Sequence, residues 1–275
     1  MRNFIKLLNF ELGRFYKIYL VLVIITITSQ LIGTVVVTYH FMETFEMVTR
    51  VEGLTVDEFH LHYGAISLHQ LIYSGWFNFP IMLAIGALIF YCFLIWYRDW
   101  FGKNTFIYRL LMLPTARLNI YLSKAIAIFL MVLGLVALQI VLIKIEGSIL
   151  KWMVPANLRV DLTVMEFIES TIGAYYFGVI IPLDFIQFLI HYGMGFMLVF
   201  VLFTAILFER SYRLKGIFYG IIYATVSVGL IYLPFLIGID LYPEEYFFLE
   251  LSLGLLVTGV SIWLANYLLN KKITV

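Results

Sequence analysis

Six long apolar runs dominate the sequence and restrict what it can fold into. They cover roughly Ile18–Tyr39, Trp76–Tyr97, Ala125–Ile143, Phe185–Phe208, Gly216–Ile239 and Leu249–Leu269. About 20 apolar residues in a helix cross the hydrocarbon core of a bilayer, because each residue rises about 1.5 Å. The chain is only 13% charged, whereas soluble domains are about 25% charged. The sequence therefore predicts an all-α integral membrane protein, with about six transmembrane helices in one domain, residues 1–275.

The charged residues predict how these spans are oriented. Of the 18 Lys and Arg residues, the only four on one side of the predicted membrane are Arg50, Lys144, Lys151 and Arg159. The 17 acidic residues do the reverse, and the only three on the basic side are Glu11, Asp99 and Glu209. Lys and Arg accumulate in cytoplasmic loops. We therefore expect a multi-pass plasma membrane protein with both termini in the cytoplasm, and the composition, rich in Phe and Tyr with a single Cys, favours a bacterial one.

The segment before the first run, residues 1–17, is basic and amphipathic. Its apolar side chains recur at helical spacing on one face: Phe4, Ile5, Leu8, Leu12 and Phe15. A basic amphipathic helix is suited to lie in the headgroup region of a bilayer, so these residues are predicted to be interfacial anchors. The alternative is that they are simply the start of the first span.

The connections on the predicted outer side, residues 40–71 and 144–184, are the long acidic loops of the chain. Their acidity could attract a cationic substrate, or it could be what remains when basic residues are kept inside. His60, His62 and His69 lack the spacing of a metal site, since His60 and His62 are two residues apart and no well-spaced further ligands follow. We expect no bound metal.

No charged residue lies deep within the six runs, and His191 is the one ionisable candidate there. Ion-coupled transporters keep ionisable groups at mid-membrane to bind the coupling ion. The chain also lacks the phosphate-binding pattern G-x-x-x-x-G-K-[ST] of ATPases. If the protein moves a substrate uphill, the sequence predicts that a separate polypeptide supplies the energy.

The most informative connection is residues 98–124, on the predicted cytoplasmic side. It reads RDWFGKNTFIYRLLMLPTARLNIYLSK. This segment is too charged to span a membrane and too apolar to be a solvated loop. A short helix at the membrane surface, or buried against a protein partner, resolves the conflict. Pro114 is expected to end that helix, since the residue before a proline is pushed out of the helical region.

This connection resembles the loop that permease subunits of ABC-2-type ABC exporters carry after their second span. The matching positions are the charged start Arg98–Asp99, the pair Asn104–Thr105, the Leu-Pro-x-x-Arg pattern of Leu113–Arg117, and Lys124. Asn104 stands where the family has Gly. The topology also resembles this family, whose fold is a type V exporter: an interfacial N-terminal helix, six spans and both ends inside.

The resemblance implies that the short helix is a coupling helix that docks on a cytosolic ATPase. The residues expected to carry this contact are Arg109, Leu110, Leu111, Leu113, Pro114 and Arg117. Glu209 and Arg213, in the next cytoplasmic connection, would form a smaller second contact, although their charges equally suit the topology rule.

The resemblance also implies a division of labour between subunits. Two ATPase copies and a second permease half, as a homo- or heterodimer, are the expected partners besides the lipid bilayer, and no nucleic acid is expected. The chain itself would be non-catalytic and bind no cofactor, with ATP and Mg in the ATPase. The expected substrate is amphipathic: a peptide toxin or antimicrobial peptide, an antibiotic, or a lipid.

Two other functions remain open from the residues alone. A self-contained secondary transporter or channel would need ionisable pore residues or internal repeats, and a membrane-embedded enzyme would need a catalytic constellation. Separately, the small-residue stripe Gly216-x-x-x-Gly220-x-x-x-Ala224 would permit close helix packing, either within the chain or across a dimer.

Overall fold

The structure is a computed structural model that describes residues 2–101, 106–171, 177–237 and 242–273. Its α-helices, in chain order, are α1 (Arg2–Glu52), α2 (Val56–Tyr63), α3 (Leu68–Ile72), α4 (Gly75–Phe101), α5 (Phe106–Leu111), α6 (Leu118–Met153), α7 (Val164–Ser170), α8 (Phe177–Ile180), α9 (Phe185–Tyr212), α10 (Leu214–Ile237) and α11 (Pro243–Tyr267). A 3₁₀ turn follows α6 at Ala156–Leu158, and a π-helical turn follows α11 at Leu268–Lys272.

Six of these helices are long and apolar enough to cross a membrane: α1, α4, α6, α9, α10 and α11. Helices α1, α4, α6 and α9 each contain one whole apolar run, α10 contains the fifth run up to Ile237, and α11 with the π-helical turn contains the sixth. The prediction of an all-α chain with six long apolar helices is confirmed within the part of the chain that the structure describes.

The helices end at different places from the apolar runs. Helix α1 has 51 residues, a length of about 77 Å at 1.5 Å per residue, and it joins the predicted interfacial segment to the first span without a break. The predicted outer loops are also largely helical, because α1 continues to Glu52 and α6 to Met153. The physical reason is that the end of an apolar run marks the end of the predicted membrane span and not the end of the helix. Charged residues such as Glu and Lys are good helix formers in water, so a helix can continue beyond the span.

The chain divides into two compact units. The first comprises the N-terminal part up to Phe15, Leu88–Leu130 and the chain from Asp184 onward. In it, the hairpin of α9 and α10 is packed very closely. A Cβ atom placed on Gly216 would lie 2.0 Å from the Phe208 carbonyl oxygen, and one on Gly220 would lie 2.9 Å from that of Ala205. These two glycines of the small-residue stripe therefore pack within the chain.

The second unit comprises Tyr16–Ala87 and Met131–Leu183. Its described residues form two apolar clusters. The first cluster is formed by Leu68, Leu71, Ile72, Phe77, Ile81, Ile143, Phe167, Ile168 and Ile181. The second cluster is formed by Val48, Phe59, Ile66, Leu150, Val154 and Leu158. Both join the long helices α1 or α6 to the short helices of the predicted outer loops, so those loops are packed structure.

Arg159 caps the C-terminal end of α6 in this second unit. The Arg159 guanidinium donates hydrogen bonds to the carbonyls of Lys151 and Val154, which a helix end otherwise leaves unpaired. The same side chain donates to Asp161 Oδ1 at 2.8 Å. This hydrogen bond lowers the pKa of Asp161 below its ordinary value.

Helix α4 contains a proline, and α1 compensates for it. Pro80 has no N–H, so the carbonyl of Trp76 four residues earlier loses its normal helical donor. The Ser29 hydroxyl of α1 donates to that carbonyl at 2.8 Å. The two helices are in tight contact here, because a Cβ atom on Gly33 would lie 2.2 Å from the Trp76 Cβ.

Candidate functional site

The short helix predicted in residues 98–124 is present as α5. The chain continues beyond it in a turn, where the Met112 amide donates to the Tyr108 carbonyl at 3.0 Å and the Leu113 amide to the Leu110 carbonyl at 3.2 Å. Helical structure ends before Pro114, as expected. Lys103, Asn104 and Thr105, which belong to the resembling stretch, lie outside the described residues.

The predicted docking residues of α5 fall on two sides. Leu110 and Leu111 are buried and, with Ile107, anchor the helix in the first unit. Arg109 and Pro114 are exposed. Leu113 is 40% exposed, and its neighbour Met112, which the sequence reasoning left out, is 70% exposed. We call the four exposed residues Arg109, Met112, Leu113 and Pro114 the α5 surface.

Arg117 is used inside the chain. Its Nη1 donates to the carbonyl of Leu269 at 2.5 Å and to that of Ile273 at 2.9 Å. It therefore pairs carbonyls at the end of the last helix, which would otherwise lack partners. These bonds occupy the side chain that the resemblance assigned to the contact with the ATPase.

Behind α5 lies a buried charge cluster that the sequence reasoning did not assemble. It consists of Glu11 on α1, Asp99 on α4 and Lys124 on α6, all buried. Lys124 Nζ donates to Glu11 Oε1 at 2.7 Å, to Asp99 Oδ2 at 2.5 Å and to the Ile95 carbonyl at 3.0 Å. An ammonium group has three N–H donors, so each one has an acceptor.

Two arginines complete the cluster at its partly exposed rim. Arg14 donates to Asp99 Oδ1 at 2.6 Å, and Arg98 donates to Glu11 Oε2 at 3.3 Å. Buried charges are tolerated when they are paired and hydrogen-bonded, and each carboxylate here accepts hydrogen bonds from two cationic side chains. The signal in the sequence was that Glu11 and Asp99 are acids on an otherwise basic side.

The third acid on that side, Glu209, is paired as well. Its carboxylate accepts a hydrogen bond from the Tyr97 hydroxyl and lies 3.3 Å from Nη2 of Arg210. The Arg210 guanidinium lies over the Tyr97 and Phe101 rings at 4.8 and 4.6 Å. Glu209 thus binds within the chain, while Arg213, the other residue of the predicted second contact, is exposed in the turn between α9 and α10.

Helix α5 is attached directly to the N-terminal part of α1. The Phe10 and Phe106 rings stack with centroids 5.7 Å apart, and the Arg14 guanidinium lies 5.2 Å above the Phe106 ring. Because Arg14 also binds Asp99, the α5 helix and the buried charge cluster share a residue.

The predicted interfacial anchors are only partly exposed. Ile5 is exposed, Phe4, Leu8 and Leu12 are half-buried, and Phe15 is buried against the Tyr91 ring at 3.7 Å. The line that packs into the protein is Leu7, Glu11 and Phe15, which are spaced four residues apart and so share a face.

Comparisons with known proteins add no assignment. No family model matches the chain, and no curated protein or solved structure matches it significantly. Within the described residues there is also no group of three or more His, Cys, Asp or Glu side chains that could hold a metal ion. The function is therefore argued from the arrangement of the residues.

Proposed function

We propose that this chain is the membrane-spanning permease half of an ATP-driven exporter of the ABC-2 type. It moves an amphipathic substrate out across the plasma membrane, and α5 is the helix that docks on a separate cytosolic ATPase. A second permease half completes the transporter. The proposal places the α5 surface and both termini in the cytoplasm.

The observation that carries the proposal is the division of α5 into an anchored face and an exposed face. Ile107, Leu110 and Leu111 hold the helix in the first unit, while Met112 and Leu113 are left in the open beside Arg109. Exposed apolar side chains next to a cation are typical of a docking surface, since the apolar groups supply affinity and the charge supplies orientation.

The attachment of α5 supports the second part of the proposal, the transmission of movement. Phe106 contacts Phe10 and Arg14 on α1, and Arg14 binds Asp99 on α4, which binds Lys124 on α6. A displacement of α5 on docking would therefore act on three membrane-spanning helices through direct contacts.

The test is co-purification with the ATPase encoded beside this chain. The variant Met112→Asp with Leu113→Asp puts charge on the α5 surface and leaves the buried residues intact. The control is Leu61→Asp on α2, an apolar residue that is more exposed than either and lies on the opposite predicted side of the membrane. We expect the wild type and the control to retain the ATPase and the α5 variant to lose it. If all three retain it equally, α5 is not the docking helix, and if none binds, the permease assignment fails.

One observation favours the second candidate, a self-contained secondary transporter. Glu146 was assigned to an outer loop by the sequence, but it lies in the continuous helix α6 and is buried. A buried carboxyl on a spanning helix is the kind of group that coupling ions require. Substrate uptake by proteoliposomes under an ion gradient, with no ATPase present, would establish this function and displace the first.

A further inference from the structure

Four buried polar atoms of the second unit have no hydrogen-bond partner among the described residues. They are Gln30 Oε1, Thr38 Oγ1, Gln139 Nε2 and Glu146 Oε1. All four belong to α1 or α6. Buried polar groups are nearly always paired with protein, water or an ion, so these four atoms are candidates for binding one.

Two contacts fix how α1 and α6 lie against each other. The Tyr19 hydroxyl donates to the Met131 carbonyl, and Gln30 Nε2 donates to Gln139 Oε1 at 3.0 Å. Going from the first contact to the second, the residue number increases on both helices, from Tyr19 to Gln30 on α1 and from Met131 to Gln139 on α6. The two helices therefore run parallel. Thr38 is eight residues beyond Gln30, and Glu146 is seven beyond Gln139. Both steps are about two helical turns on the same face, so Thr38 and Glu146 are at the same level.

The two apolar clusters independently indicate that Thr38 and Glu146 are at the same level. On α6, Glu146 lies between Ile143 of the first cluster and Leu150 of the second. On α1, Thr38 follows Val37, which packs on the first cluster, and precedes Phe41, which packs on the second. The polar pair thus occupies the gap between two apolar clusters.

The Thr38 hydroxyl differs from those of four other threonines of α1. Thr26, Thr28, Thr34 and Thr44 each donate to the carbonyl four residues earlier, which is the usual way for a helical threonine to satisfy its hydroxyl. Thr38 is 0% exposed and makes no such bond. Its oxygen is therefore free to bind a ligand.

Glu146 has no cation beside it to offset its burial. The residue is 1% exposed, and no ion pair joins it to any residue that the structure describes. Of the two lysines on the same stretch of α6, Lys151 lies 3.6 Å from Asp161 instead. A carboxylate in an apolar environment is very costly unless a proton or another cation neutralises it.

We propose that Glu146 and Thr38 form a binding site for one monovalent cation, either a proton or a sodium ion. The carboxylate neutralises the cation, and the Thr38 oxygen supplies a second hard ligand of the kind that such cations prefer. This site is separate from the α5 surface and does not depend on an ATPase.

The test uses dicyclohexylcarbodiimide, an apolar reagent that labels protonated carboxyls in membrane proteins. The acid O–H adds across one C=N bond, and the adduct rearranges to a stable N-acylurea with every atom retained. The full-length protein in membranes is labelled in sodium chloride or in choline chloride, and the labelled residue is identified by mass spectrometry. Labelling of Glu146 in both media identifies a proton site, and labelling that sodium suppresses identifies a sodium site. An unlabelled Glu146 in both media overturns the proposal.

A matched pair of variants tests the part of Thr38. Thr38→Val removes the free hydroxyl and should change the rate of Glu146 labelling, or its protection by sodium, by about threefold or more. Thr34→Val is the control, because Thr34 is equally buried on the same helix but its hydroxyl is bonded to the Gln30 carbonyl. Equal labelling in the two variants would remove Thr38 from the site and overturn the proposal. Glu146→Gln must abolish the label.

Discussion

At the scale of single residues, the acids on the predicted cytoplasmic side are structural. Glu11, Asp99 and Glu209 were visible in the sequence as exceptions to the charge distribution. Each is paired with a cation in the folded chain. The positive-inside rule predicts on which side basic residues accumulate, but it does not say which of them bind acids. Lys124 looked like a positive-inside anchor and is in fact buried.

Replacing Lys124 should be strongly destabilising. Lys124→Met takes from Glu11 and Asp99 the fully buried cation that both bind, and leaves them only the arginines at the partly exposed rim. Breaking a buried ion pair costs about 3–5 kcal/mol. The measurement is the unfolding midpoint in detergent, with the exposed Lys215→Met as control. Adding Asp99→Asn to Lys124→Met should recover none of the loss, because Asp99 still binds Arg14 in the single variant. A double variant more stable than the single one would contradict this account.

Arg213 is held in a strained conformation. Its φ angle is 56° in the turn between α9 and α10, a region that favours glycine. Arg213→Gly should therefore raise the free energy of unfolding, by about 1 kcal/mol at most. Arg213→Ala keeps a Cβ and should give no such gain. The two variants are compared by denaturant unfolding, and identical midpoints would show that the backbone is not strained there.

At the scale of helices, the sequence predicted the apolar cores of the spans and missed their ends. Nothing in the hydropathy of α1 indicates that it continues to Glu52, because the residues after Tyr39 are compatible with either helix or loop. Helix α5 was predicted because charge and apolarity conflict in one short segment. Which of its faces is exposed could not be predicted, since residues 106–113 carry apolar side chains on every side.

The packing of α9 against α10 depends on Gly216. Gly216→Ala should destabilise the hairpin, because its Cβ would meet the Phe208 carbonyl, and such overpacking typically costs about 1–3 kcal/mol. Gly229→Ala on the same helix is the control, as no atom lies within 4 Å of the added Cβ. Both are measured by thermal unfolding. A Gly216→Ala protein as stable as the control would contradict the close approach.

The end of α6 should respond to acid. Arg159 lowers the pKa of Asp161 in the folded chain, so this pair contributes stability above the ordinary Asp pKa of about 4. That contribution is lost as the pH falls through the pKa that Asp161 has in the folded chain. Proteolysis of residues 153–171 should therefore increase below pH about 4, and Asp161→Asn should remove that pH-dependent part. Asp57→Asn, which leaves the Arg159 bonds in place, is the control. An unchanged profile in Asp161→Asn would show that other acids control this region.

At the scale of the whole molecule, the count of six spans could be predicted from the sequence. Each crossing of a bilayer needs about 20 apolar residues, and a run of that length is visible in the sequence. The buried charge cluster could not be predicted, because its members are separated by 88 and 25 residues and meet only when three helices pack. The orientation remains a prediction from charge distribution.

Cysteine labelling tests that orientation. Cys92 is the only cysteine, so Cys92→Ser gives a background without thiols. Into it are placed Val51→Cys, at the end of α1, or Leu214→Cys, at the start of α10, both highly exposed positions. A membrane-impermeant maleimide added to intact cells should label the first and leave the second unlabelled. The reverse pattern would invert the topology and move the α5 surface outside.

The bond between Ser29 and the carbonyl beside Pro80 limits how the protein can change shape. If α4 slid along α1 by one helical turn, about 5.4 Å, the Trp76 carbonyl would lose the hydroxyl that replaces its missing helical donor. In a lipid environment an orphaned backbone carbonyl costs several kcal/mol. The Trp76 side chain, which packs against Gly33, would also clash with the side chains of the next turn of α1. These parts of α1 and α4 are therefore in fixed register, and any change of conformation has to move them together as one body.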